Sequence, residues 1–264
     1  MADRDPGVDP EHQAGGAPGT ALGTDEVDDV GIVSEDDDAI PAATVIPLRD
    51  TDTGPEVLML RKNSKLAFGG MWVFPGGRID DDDRRAGDAP GDLDAGRRAA
   101  VREALEEADL VVAVDGLVPF SHWTPPVVSV HGPKRFATWF FVCRAPVGED
   151  GQVTIDGGEI HDDTWVRPSE MLERHAAGEI QLAPPTFVTL HDLCGHRAVD
   201  SVLAAATVAE PPRYLTRIAS LDDALVTMWA GDAGYDEGDA TVPGARHRVV
   251  MADDGWRFER TVDR

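Results

Sequence analysis

The chain has 264 residues, with 24 basic against 49 acidic side chains and a formal charge of −25. A surface this negative repels a phosphate backbone and an anionic bilayer alike, which argues against a nucleic-acid polymer or a membrane as partner. Hydrophobic residues at 42% suffice for a sizeable core, and no apolar run approaches the roughly 20 residues that a membrane helix requires.

The start, Met1-Ala2-Asp3-Arg4-Asp5, lacks the basic and apolar regions of a secretory signal, so a cytoplasmic protein is expected. Residues 1–38 hold no Phe, Trp or Tyr and are rich in Asp, Glu, Gly, Ala and Pro, which predicts a disordered acidic tail. Thr44, Val45, Ile46 and Leu48 form a short strand-like run in which Pro47 marks an edge strand or a bulge, and Val57 to Leu60 form another. The turn formers from Asp50 to Pro55 join them as a hairpin. Met71-Trp72-Val73-Phe74 is a strand that stops at Pro75-Gly76-Gly77, read as a backbone needing special dihedrals. Arg78 to Gly96 reads as a long exposed loop. A helix follows, capped by Asp92 or Asp94, with Ala99, Ala100, Val101, Ala104, Leu105 and Ala108 on its apolar face.

Strands are expected at Arg135 to Cys143 and at Ile160 to Val166. Pro168 opens a short helix that Gly178 closes, and a second helix runs from Pro184 to about Cys194. The remainder alternates short apolar runs with turns, with a hairpin from Arg248 to Arg260 about Asp253-Asp254-Gly255. The organisation expected is thus a tail over 1–38, an α/β domain over 39–194 and an extension over 195–264. Cys143 and Cys194 sit among apolar residues and are expected to be buried free thiols.

The chemistry concentrates in Arg102-Glu103-Ala104-Leu105-Glu106-Glu107. On a helix, Glu106 and Glu107 fall roughly 60° and 40° to either side of Glu103, so three carboxylates share one face. Like charges at these spacings destabilise a helix, and locally only Arg102, four before Glu106, relieves them. Oxygens converging from one face are what a hard cation such as Mg²⁺ accepts. The plainer alternative is a solvated acidic face. A glycine turn placed shortly before the helix favours the metal reading.

Here the sequence resembles the Nudix hydrolase family, whose box runs Gly, five residues, Glu, seven residues, Arg-Glu-apolar-x-Glu-Glu-x-Gly-apolar. Gly77 matches the opening glycine and Arg102 to Ala108 match the centre. Gly77 and Arg102 stand 25 residues apart against 14 in the family, so the loop carries 11 extra residues. The first acid of the box is then Asp83, counting forward, or Asp94, counting back. Asp109 replaces the closing glycine, in a left-handed position that Asp tolerates better than most residues. Pro119 to Pro125, Arg135 to Phe141, Leu182 to Thr186, and Gly76 to Asp80 with Asp83 are similar to the subgroup of peroxisomal acyl-coenzyme A diphosphatases. The similarity covers about Ala43 to Leu193. The more general coenzyme A signature is absent, with Gly69-Gly70-Met71-Trp72-Val73 in its place, and Val262-Asp263-Arg264 is no peroxisomal signal.

The resemblance implies an α/β/α sandwich with a mixed β-sheet, followed by the C-terminal extension. It implies hydrolysis of a pyrophosphate bond in a nucleoside diphosphate derivative such as coenzyme A or an acyl-CoA, with Mg²⁺ or Mn²⁺ as cofactor. Glu106 and Glu107 are then the principal metal ligands, Glu103 a ligand or base, and the Gly77 carbonyl a further ligand. Arg102 orients the carboxylates. Glu159 is the candidate acid from outside the box, with His161 and Asp162 behind it. Arg61, Lys62 and Arg135 flank the nearby strands and are candidates to face phosphates, and His122 with Trp123 to line the pocket. The competing expectations are a non-catalytic nucleotide or CoA-ester sensor on the same scaffold and an acidic interaction protein.

Overall fold

The computed structural model describes residues 39–63, 69–126, 134–148, 152–155 and 157–261. The expected tail lies outside them. β1 (Ile40–Thr51) and β2 (Gly54–Lys62) form the expected hairpin, followed by β3 (Trp72–Val73), β4 (Gly76–Arg78) and α1 (Leu93–Ala108). Next come β5 (Val118–Thr124), β6 (Phe136–Arg144), β7 (Ile160–Val166), α2 (Pro168–Ala176), α3 (Pro184–Leu193) and α4 (Val199–Val208). The chain ends in β8 (Arg213–Leu215), β9 (Arg217–Leu221), β10 (Ala224–Met228), β11 (His247–Ala252) and β12 (Gly255–Arg260).

The main sheet runs β3-β2-β1-β6-β5-β8, with β4 also paired to β1 and β7 to β2. It is mixed, because β1 lies parallel to β6 and β5 parallel to β8. Side-chain alternation then dictates two cores. Ala43, Val45, Leu58, Leu60 and Phe141 point to α1, while Ile46, Leu48, Val57, Met59 and Val142 point to α2, α3 and α4. The α1 side is built from Ala95, Ala99, Ala100, Ala104 and Ala108, whose small side chains let the helix approach the sheet closely. Gly96 completes that face, since a Cβ there would meet Trp139 at 3.2 Å. Helices on both faces make an α/β/α sandwich.

Four expectations change. Pro47 lies in a central strand rather than at an edge. On that flank β1 bonds β4 through Ala42–Thr44 and β2 through Leu48–Thr51, so the missing N–H of Pro47 falls in the gap between two partners. Leu105 is 48% exposed instead of facing the core. Gly96 belongs to α1, whose cap is Asp92: its carboxylate accepts from the Asp94 and Ala95 N–H groups. Cys143 is buried, which pushes its thiol up to about 12, whereas Cys194 is exposed; both are free.

Beyond residue 195 the expected hairpin is present as β11 and β12, within a four-stranded antiparallel sheet ordered β12-β11-β10-β9. α4 and β8 were not anticipated. β8 extends the main sheet and α4 covers it, so this segment shares the central core, with Tyr214 stacked on Trp123 at 3.8 Å. Trp256 and Phe258 of β12 pack against Phe187, His175 and His191.

Burial holds the imidazoles of His175, His191 and His247 below the usual histidine value of 6.5, and burial with the nearby Arg213 charge lowers His122 to about 4. A histidine depressed in the fold stays neutral there and gains its proton on unfolding. Its contribution is complete above about pH 6.5 and is lost as the pH falls through the folded value. The thermal midpoint is therefore expected to fall steadily between pH 6.5 and 4. Scanning calorimetry across that range checks it, and a flat profile would contradict it.

Candidate functional site

The glycine turn is fixed to β1. The Pro75 carbonyl accepts from the Val45 N–H at 2.9 Å and from the Thr44 hydroxyl at 2.5 Å, and β4 pairs Gly76 with Thr44 and Gly77 with Ala43. Neither Gly76 nor Gly77 has a positive φ, so their role is not the special dihedral expected. It is close approach. A Cβ at Gly76 would sit 2.6 Å from the Ala43 carbonyl oxygen, and one at Gly77 would fall on the Glu103 carboxylate.

α1 delivers the acids to this backbone. Glu107 is 5% exposed and accepts from the Gly76 N–H at 2.9 Å and the Lys62 ammonium at 2.8 Å. Burial holds its carboxyl above the usual range in spite of both donors, and Glu159 adds to the effect. Glu103 is raised as well, first by burial, against the pull of Arg102 and with the charges of Glu107 and Glu106. Glu106 is the most open of the three, with its side chain 56% exposed. The helix ends where the box requires: Asp109 takes φ 54° and ψ 29°, the left-handed cap expected of it.

Arg102 organises the cluster. Its guanidinium donates to Glu103 Oε1 at 2.8 Å, Glu106 Oε2 at 2.9 Å and the Arg78 carbonyl at 2.9 Å. It also grips both carboxylate oxygens of Asp83, at 2.8 and 3.2 Å, which raises the Arg102 pKa. Asp83 is 5% exposed, in a short 3₁₀ turn over Asp81–Asp83 where it also accepts from the Asp80 N–H. Asp94 pairs instead with Arg97 on the open side of the first helical turn. The forward count from Gly77 therefore finds the anchoring acid. Arg98 pins the same loop, donating to the Asp83 carbonyl at 2.5 Å and pairing with Asp88. Much of the stretch expected as an exposed loop is thus tied to α1.

Outside the box the structure sorts the other candidates. Alternation along β2 turns Lys62 toward α1 and leaves Arg61 exposed on the opposite face, in register with Trp72 and Asp162. Glu159 reaches the cluster through Lys62, at 3.8 Å. His161 and Asp162 are exposed on β7. Arg135 donates to the Pro125 carbonyl at 2.7 Å, and the His122 ring packs on Trp139 at 4.5 Å, with the Arg213 guanidinium 5.3 Å from the Trp139 ring centre. Of Arg61, Lys62 and Arg135, expected together to face phosphates, Lys62 is the one that reaches Glu107; the parity of β2, with Leu58 and Leu60 facing α1, is the signal that locates it.

The donor set suits a hard divalent cation: Glu103, Glu106, Glu107 and the Gly77 carbonyl present only oxygen, and burial raises the carboxyls of the buried Glu107 and the partly buried Glu103 against the pull of their cations. Among the described residues no three acid, His or Cys side chains are gathered around one point; Lys62 holds Glu107, and Arg102 holds Glu103 and Glu106.

A family profile described as NUDIX domain matches residues 39–184. Acyl-coenzyme A diphosphatase NUDT19 of Xenopus laevis is 30% identical over 159 residues, covering 55% of this chain and 41% of that protein. The chain thus spans less than half the length of that relative. Putative nudix hydrolase 7 of Caenorhabditis elegans is 25% identical over 221 residues, with 69% of this chain and 70% of that protein covered. Among solved structures, a NUDIX hydrolase from Alicyclobacillus acidocaldarius superposes with a TM-score of 0.55 at 22% identity, over 66% of this chain and 99% of that one, a likeness of fold. With a matched profile over more than half its length, and with the Gly77, Asp83, Arg102 and Glu107 framework in place, the chain belongs to the Nudix hydrolase family.

Proposed function

We propose that the protein is a divalent-cation-dependent hydrolase of a pyrophosphate bond in a nucleoside diphosphate derivative, with coenzyme A or an acyl-CoA as the first substrates to try. The observation that carries this reading is the buried contact of Glu107 with the Gly76 N–H, beside the close approach of Glu103 to Gly77, which joins the acidic face of α1 to the glycine backbone. Glu103, Glu106, Glu107 and the Gly77 carbonyl would hold Mg²⁺ or Mn²⁺. The bound ion would supply charge neutralisation on the pyrophosphate and activation of water. Arg102, locked by Asp83, fixes the rotamers of Glu103 and Glu106. Glu103, partly buried and raised, is placed to hold a proton from water. Similarity to an acyl-coenzyme A diphosphatase supports the substrate class. We retain the cytoplasm as the compartment; no helix among the described residues is long and apolar enough to cross a membrane.

The test is a panel of coenzyme A, acyl-CoA, a dinucleotide and a nucleotide sugar, assayed with and without Mg²⁺ and read by the mass of both products. Turnover that is indifferent to metal and to Glu106→Gln with Glu107→Gln would sink the reading. Binding without products after long incubation would favour the sensor. Within the same assay, Gly77→Ala is expected to lower turnover roughly 100-fold, because the added Cβ displaces the Glu103 carboxylate, while circular dichroism stays unchanged.

A further inference from the structure

Among the described residues, Lys62 is the one basic side chain that reaches the buried acid of the box from another element, and the box does not include it. It stands at the end of β2 with its side chain 15% exposed. Its ammonium is 2.8 Å from Glu107 Oε1, and the other oxygen of Glu107 is taken by the Gly76 N–H. A second carboxylate, that of Glu159, lies 3.8 Å from the same nitrogen, with its side chain 60% exposed toward solvent. One flexible cation thus has a buried acid on one side and a solvent-facing acid on the other.

A divalent ion that bound Glu107 Oε1 would have to displace this ammonium. Two cations cannot share one buried oxygen without strong repulsion, since screening there is weak. The Lys62 stem can turn its head by a few ångströms without backbone movement, and Glu159 offers a place for it. We propose that Lys62 is a tethered counter-ion that neutralises Glu107 while the metal is absent and is handed to Glu159 when the metal binds. This rests on the reading of Glu107 as a metal ligand given above. The arrangement has two consequences. The glycine turn and α1 stay joined without metal, because Glu107 always has a cation. Metal affinity is also set below what the carboxylates alone would give, because each binding event has to displace an ammonium.

The test is calorimetric titration with Mn²⁺ at pH 8, alongside thermal unfolding with and without Mn²⁺. Lys62→Met is expected to bind Mn²⁺ at least about ten-fold more tightly than the parent chain, to unfold at a lower temperature without metal, and to gain more from metal than the parent does. Glu159→Gln is expected to bind Mn²⁺ several-fold more weakly, since the displaced ammonium loses its second partner. Equal or weaker binding by Lys62→Met overturns the proposal while leaving the metal site standing, provided that Glu107→Gln still loses Mn²⁺. Should Glu107→Gln and the parent chain titrate alike, the metal reading itself fails and this proposal with it. If Lys62→Met does not fold, Lys62→Gln replaces it. Folding of that variant only when Mn²⁺ is present supports the proposal, and failure to fold in either condition marks the pair as purely structural and overturns it.

Discussion

Glu107→Gln is expected to reduce pyrophosphate hydrolysis roughly 100- to 1,000-fold while leaving the thermal midpoint almost where it was. The two effects separate because they draw on different properties of the same carboxylate. For the reaction, Glu107 supplies negative charge at the point where the glycine backbone, Lys62 and the proposed cation meet, and a lost charge-stabilising group in a buried site commonly costs that much in rate. For the fold, the charge is a burden: burial holds the carboxyl above its usual range, so a neutral amide of the same shape removes a cost while it can still accept from the Gly76 N–H. Steady-state rates and a melting curve on the same sample check both parts. A variant that keeps full activity would remove Glu107 from the chemistry, and one that melts far below the parent would make it chiefly structural.

The largest effect on stability is expected in the four-stranded C-terminal sheet. Arg248 and Asp232 form an ion pair whose side chains are 1% and 0% exposed. The guanidinium meets the carboxylate through two nitrogens, at 2.7 and 2.5 Å, and donates a third bond to the Ala240 carbonyl at 2.7 Å. Burial works against the ionised Asp232, but Arg248 and the N–H groups of His247 and Gly234 outweigh it and hold the pKa at about 2. Arg248→Met leaves a buried charge without its partner, which costs about 3–5 kcal/mol and lowers the midpoint by about 10 °C. Pairing it with Asp232→Asn is expected to recover much of the loss, since the stranded charge is then gone. A shift of the single variant below about 2 °C would show that the pair is dispensable.

How far the sequence spoke depended on whether a feature is local. Asp109 could be placed in a left-handed cap from its position at the end of the box, and Pro168 and Pro184 opened their helices as proline in a first turn does. The hairpin about Asp253-Asp254-Gly255 carried its own turn chemistry. By contrast, Pro47 looks like an edge residue until the two partners on one flank of β1 are known. α4 has Ala198 at its N-cap, with no side-chain cap to mark its start, and no glycine closes it; the signals its sequence does carry are Asp200 in the first turn and Pro211-Pro212 just past its end. The same division runs through the site. The three glutamates and Arg102 are legible as helical spacing. The choice of Asp83 over Asp94 needed the fold of the inserted loop, and the choice of Lys62 over Arg61 turned on the single-residue parity of a strand.

The loop that separates Gly77 from α1 makes the box a two-piece device. Asp83 is reached six residues after Gly77, and Glu107 five residues after Arg102; the clasp between Asp83 and Arg102 joins the pieces, so the length between them is free to vary. Arg85, Ala86 and Gly87 form the exposed crest of that interval, before Asp88 is fastened to Arg98. The crest is consequently a natural port for grafting a peptide tag or a fluorophore without changing the spacing of Gly77 to Asp83 or of Arg102 to Glu107.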